Sequence, residues 1–147
     1  MGRLSLGITI LLVLASMSLA LARQQTEHGG RPLTANLTGA AEVPGPGDAD
    51  GAGSAKITLN QGKGQVCYEL TVSNIATANA AHIHVGASTV AGPVLVGLDP
   101  PANGSSKGCV DLDKEKFKDL IQNPANYYVN VHNAEFPDGA VRGQLSK

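Results

Sequence analysis

Tryptophan is missing from this 147-residue chain, and only two Phe and three Tyr stand against 18 Gly and 8 Pro. So little aromatic bulk and so many turn formers fit short strands joined by tight connections. Neither sign of charge is in excess: Lys and Arg number 11, Asp and Glu 12, and the net charge is −1. Nothing in that balance directs the chain to nucleic acid or to an acidic membrane surface. No Gly-x-Ser-x-Gly occurs, so a serine nucleophile on a strand–helix elbow is not supported. Paired carboxylates for glycoside hydrolysis are not indicated, and there is no long internal repeat. Without a complete catalytic set, an enzyme is the less favoured class.

The N-terminus sets the compartment. Met1-Gly2-Arg3 is a short basic start, and Leu4 to Ala22 carries no charge. Ala20-Leu21-Ala22 before Arg23 has the small-x-small form of a signal-peptidase site. Residues 1–22 therefore read as a signal peptide, and the chain as secreted, extracellular or periplasmic. The competing reading, a membrane anchor, is weakened by Ser5, Thr9, Ser16 and Ser18 within the run. No stable membrane insertion is expected after cleavage. No Cys follows the cleavage point directly, which argues against a lipoprotein anchor. Residues 23–32, with Gly29-Gly30 and a solvated His28, read as a flexible arm. Residues 33–147 are then one domain.

Alternation of apolar and polar residues marks strands over 33–38, 54–60, 65–72, 80–85, 107–112, 127–132 and 140–145, and the short, almost wholly apolar run 93–98 reads as another. Gly45-Pro46-Gly47-Asp48-Ala49-Asp50-Gly51 is turn chemistry, and Asp48 and Asp50 do not complete an EF-hand loop. The run 99–106, with Pro100-Pro101 and Asn103-Gly104, is not expected to continue a strand. Asp113 is an N-cap for a helix over 114–123, where Phe117, Leu120 and Ile121 share one face. About eight short strands with one inserted helix predict an all-β fold, an antiparallel Greek-key sandwich or barrel. Cys67 and Cys109 both point away from the core on their strands. In an exported protein that pair predicts one disulfide.

The chemistry rests on histidines. In Ala81-His82-Ile83-His84-Val85-Gly86, strand parity puts Ala81, Ile83 and Val85 on the core face, with His82 and His84 opposite. Their Cα atoms are then about 7 Å apart, a spacing that lets two imidazoles converge on one ion. His132, in Tyr128-Val129-Asn130-Val131-His132, faces outward in the same way. Three imidazoles and an open position make a metal site, with copper the first choice and zinc the second. Asn130, Glu135 and Asp111 are possible partners for the free ring nitrogens, by residue type. The competing role for these histidines is hydrogen bonding to loop backbone, with His132 capping the turn that follows. Arg142 either steers an anion or, the preferred reading, braces the turn through Asp138 or Glu135. Asn36-Leu37-Thr38 and Asn103-Gly104-Ser105 are glycosylation sequons, relevant in a eukaryotic host.

Five ordered blocks resemble the CHRD domain, the repeat named after chordin, an extracellular inhibitor of bone morphogenetic proteins. They are Leu37-Thr38-Gly39-Ala40-Ala41-Glu42-Val43-Pro44, Ala81 to Gly86, Gly92-Pro93-Val94, Tyr128 to Asn133, and Phe136 to Leu145. The resemblance runs from Leu33 to Leu145 and implies fold and compartment more than activity. A weaker similarity is to copper–zinc superoxide dismutases, whose His-x-His strand His82 and His84 match. It implies copper ligation at those two positions and, less directly, at His132. The bridging and zinc-loop ligands have no counterpart, so a dinuclear site is not implied. Two readings follow: an extracytoplasmic binding or structural module with an extracellular protein or matrix partner, and a mononuclear copper protein with redox or dismutase-like activity.

Overall fold

A computed structural model of the chain describes residues 32–147. The expected signal peptide, nearly all of the expected arm and His28 lie outside that range. The described chain runs β1 (Leu33–Thr38), β2 (Ala52–Asn60), β3 (Gln65–Ser73), β4 (Ala78–Val85), β5 (Val94–Leu98), β6 (Ser105–Asp111), α1 (Lys114–Gln122), β7 (Tyr127–Asn133) and β8 (Val141–Gln144). The strands form one eight-stranded sheet in the order β5-β4-β7-β8-β1-β2-β3-β6, antiparallel throughout. The ends β5 and β6 approach each other, so the sheet nearly closes into a barrel. The Tyr68 hydroxyl on β3 spans the seam, donating to Asp99 Oδ2 at 2.9 Å and accepting from the Asp99 amide at 3.0 Å. Followed through that seam, β3→β4 and β6→β7 each skip two strands, the Greek-key feature the alternation predicts.

Parity builds the interior. Leu33, Leu37, Ile57, Val66, Leu70, Ile83, Val129, Val131 and Val141 are buried inside, with Phe117 and Leu120 of α1 joining the same core. Burying side chains of this kind is worth about 1.5–3 kcal/mol each, and removing one to Ala costs about 2–5 kcal/mol. Asp113 caps α1 as predicted, its side chain accepting from the Lys116 amide at 3.0 Å. Cys67 and Cys109 are direct cross-strand neighbours on β3 and β6 and form a disulfide.

Two expectations need correction. Strand β6 begins at Ser105, inside the run read as strand-breaking, because only Pro100 to Gly104 are needed for the turn. Val85 is not in the core: it is 37% exposed, whereas its neighbour His84 is 9% exposed. The β4–β5 register shifts between Ile83 and His84, and that irregularity ends the inward alternation at Ile83. Among the described residues, no helix is long and apolar enough to cross a membrane.

Candidate metal centre

The outer face of β4, β7 and β8 is not a solvated face. Cross-strand pairing aligns His82 with Asn130 and Arg142, and aligns His84 with Tyr128 and Gln144. Tyr128, Asn130 and Arg142 point out of the barrel yet are only 1–3% exposed. Two loops cover them. The loop 86–93 is held by Arg142 Nη2, which donates to the carbonyls of Ala87 at 2.9 Å and Val90 at 3.0 Å. Gln144 Nε2 adds bonds to Gly86 O and Ala125 O, both 2.7 Å. The segment 39–51 covers the other side, with the Asp48 amide bonded to Ala140 O at 2.9 Å.

Within this layer the three predicted histidines come together. His82, His84 and His132 each offer a ring nitrogen, and the three nitrogens lie within 4.8 Å of one another. His82 Nδ1 is 3.1 Å from His132 Nε2, and the His82 and His84 ring centroids are 5.4 Å apart. His84 Nδ1 lies 2.9 Å from Gly92 O, and His132 Nδ1 lies 2.9 Å from Pro137 O. A carbonyl only accepts, so each of these two Nδ1 atoms carries a hydrogen; in the neutral rings His84 Nε2 is then a bare lone pair, and His132 Nε2 accepts from His82 Nδ1. Backbone carbonyls thus hold the outer nitrogens, in place of Asn130, Glu135 or Asp111. Asn130 donates instead to Glu42 Oε2 at 2.9 Å, and Asp111 lies on β6 opposite Gln65.

Burial does most to push the His82 pKa below the ordinary imidazole range, and His132 and His84 push the same way. His84 is lowered chiefly by burial too, with its Gly92 bond opposing and His132 and Arg142 assisting. Neutral rings with free lone pairs are what metal ligation requires. His84 Nε2 is buried and has no hydrogen-bond partner.

Behind His84 the packing is dense. Its ring stacks on Tyr128 with centroids 4.8 Å apart and planes 8° from parallel. The Arg142 guanidinium carbon sits 3.4 Å from the Tyr128 ring centroid on a cation–π contact. Arg142 braces the 86–93 loop by hydrogen bonds, rather than the 133–139 turn through Asp138 or Glu135. That turn is held by Asn133, whose Oδ1 accepts from the amides of Glu135 at 3.0 Å and Phe136 at 2.8 Å. Glu42, which sequence reasoning did not single out, is 5% exposed and lies against Gly139. Burial raises its pKa to about 7, against the lowering influence of Arg142 and the Asn130 bond. Asn36 on β1 and Asn103 in the β5–β6 turn are both exposed.

Fold and site together define a disulfide-bonded Greek-key β-barrel domain with a buried polar layer and a three-histidine cluster on its outer face. The family model for the CHRD domain matches residues 33–145, and the chain belongs to that family. Comparison with curated proteins and with solved structures gives no significant match.

Proposed function

We propose that the chain is an exported binding or structural module carrying a mononuclear metal centre on His82, His84 and His132, with copper the first choice and zinc the second. The observation that carries this is the buried, unpartnered Nε2 of His84 in a cluster whose ligand atoms lie within 4.8 Å. An imidazole nitrogen left bare in that position lacks the hydrogen bond that buried polar atoms normally have. At a metal–nitrogen distance of about 2.0–2.1 Å, three nitrogens around one tetrahedral ion lie about 3.3 Å apart. The His82–His132 pair at 3.1 Å is already at that spacing. His84 and His132 would bind through Nε2 and His82 through Nδ1, with the His82 hydrogen moved to its own Nε2 by tautomer exchange. Copper(II) stands highest for imidazole donors in the divalent series.

The test is metal analysis of the purified mature protein after copper or zinc is supplied, with His82→Ala alongside. One equivalent in wild type, lost in the variant, is the expected result. No stoichiometric metal in wild type ends this reading, and metal retained in the variant refutes the ligand set. Export is supported by the charge-free leader and the disulfide. N-terminal sequencing of the exported chain should begin at Arg23. In a eukaryotic host, Asn103 is the better placed sequon, since it sits in a turn. Pull-down from extracellular fractions tests for the protein or matrix partner.

Redox chemistry at the same centre, dismutase-like activity included, is the second reading. It is favoured by the partial exposure of His82 and His132, which leaves the cluster open to small solutes. Superoxide consumption by copper-loaded protein beyond that of His82→Ala with equal copper is its test.

A further inference from the structure

We infer that Arg142 is the positioning residue of this centre: it sets the orientation and tautomer of His84 through Tyr128 and through the 86–93 loop, without reaching the ligand nitrogens. The inference rests on the metal reading above and deepens it. The contacts close a ring. Arg142 Nη2 bonds to the carbonyls of Ala87 and Val90, which fixes the loop. The same loop presents Gly92, whose carbonyl accepts from His84 Nδ1 and whose amide donates to the Tyr128 hydroxyl at 3.0 Å. Tyr128 lies between the Arg142 guanidinium and the His84 ring as a flat spacer. Gly92 admits no larger residue, because a Cβ there would sit 1.6 Å from Val85 O.

Each link serves the ligand atom. A His84 ring that loses Gly92 O is free to carry its hydrogen on Nε2, the nitrogen the metal needs. A ring that loses Tyr128 is free to tilt away from His82 and His132. Arg142 contacts both the loop and the face of Tyr128. A planar guanidinium does both tasks at once, which a lysine ammonium does not. The competing role is a plain structural brace, whose loss lowers stability and leaves His84 as it was. Two other features are weaker. The cavity of about 330 Å³ beside Glu42, Arg142, Ser88 and Thr89 has polar floor atoms that are sealed from solvent. The valines at 85, 90 and 94 are exposed, but nothing shows what covers them.

The experiment reads the tautomer first, in metal-free protein. Long-range proton–nitrogen NMR at mildly alkaline pH should show His84 in the Nδ1–H form in wild type. In Arg142→Lys it should show a mixture of both forms, while the backbone amide spectrum of β1, β2 and β3 is unchanged. Calorimetric titration with copper(II) should then show affinity reduced about tenfold to a hundredfold, the range for lost ligand-orienting partners. Tyr128→Phe keeps the stack and removes the hydroxyl bond to Gly92, so it should shift His84 in the same direction by less. If Arg142→Lys does not fold, Tyr128→Phe decides by the same readouts. A folded Arg142→Lys, or failing that Tyr128→Phe, with His84 tautomer and copper affinity as in wild type overturns the inference. Wild type that binds no copper, while Arg142→Lys still shifts the tautomer, defeats the metal reading and leaves the positioning role standing.

Discussion

Replacing Glu42 with Gln should change stability by an amount that depends on pH, more favourably at alkaline than at acid pH. The Glu42 carboxyl is buried, one oxygen takes a bond from Asn130, and the other has no partner. Arg142 lowers its pKa but, among the described residues, forms no ion pair with it. Burial prevails, and the pKa rises from 4.5 to about 7. The folded protein therefore binds this proton more tightly than the unfolded chain does. The resulting stability is complete below pH 4.5 and is lost as pH rises through about 7. At about 1.4 kcal/mol per pKa unit, that interval is worth at most about 3 kcal/mol. Relaxation of the surrounding dipoles around the charge reduces this to about 1–2 kcal/mol. Gln keeps an acceptor for Asn130 and does not titrate. His82 and His84, with lowered pKa values, act oppositely: they cost stability as pH falls. They are present in both proteins, so the difference between the two isolates Glu42. Urea unfolding of metal-free, disulfide-intact protein near pH 5 and near pH 8 is the assay. Glu42→Gln should gain about 1–2 kcal/mol on wild type between the two conditions. A difference that stays constant with pH would mean that the carboxyl titrates normally, and the argument from its burial would be wrong.

Other outcomes can be checked alongside. The melting temperature of wild type should rise with added copper by mass action, and that of His82→Ala should not, as followed by circular dichroism. Opening the Cys67–Cys109 bridge by a double Ser substitution should cost about 4 kcal/mol in the chain-entropy model for a loop of about 43 residues, read from denaturant midpoints. Gly92→Ala places its Cβ against Val85 O, so it should destabilise the fold by about 1–3 kcal/mol and weaken copper binding in the same titration. A Gly92→Ala protein with wild-type melting and affinity would show that the loop does not bear on the centre.

Much of the barrel was legible because one physical rule produced it. The alternations at 33–38 and 65–72 match the buried faces of β1 and β3, and the outward cysteines meet across β3 and β6. The helix was legible because a cap and an apolar stripe agree: Asp113 binds the Lys116 amide while Phe117 and Leu120 enter the core. Where the rule depends on neighbours, it failed. Val85 follows Ala81 and Ile83 in parity, but the shifted pairing with β5 leaves it at the surface, and pairing registers are not local properties.

The histidine cluster was legible for the same reason, and its surroundings were not. Parity says which side of the sheet a residue faces; it does not say whether a loop lies over that side. Composition does carry a trace of the answer. The outward positions of β2 and β3 hold Ser54, Lys56, Glu69 and Thr71, flexible or small groups that water solvates well, and Lys56 and Glu69 form a surface ion pair. Those of β4, β7 and β8 hold His82, His84, Tyr128, Asn130, Arg142 and Gln144, planar groups with fixed donors and acceptors. Planar polar groups lose less freedom on being held than a lysine does, and left buried and unpaired they are costly. Three adjacent strands bearing them, with no Lys or Glu among them, therefore point to a covered polar layer. Such a layer can hold imidazoles at a fixed spacing: the Gly92 and Pro137 carbonyls grip His84 and His132 from their Nδ1 sides and leave the Nε2 atoms turned into the cluster.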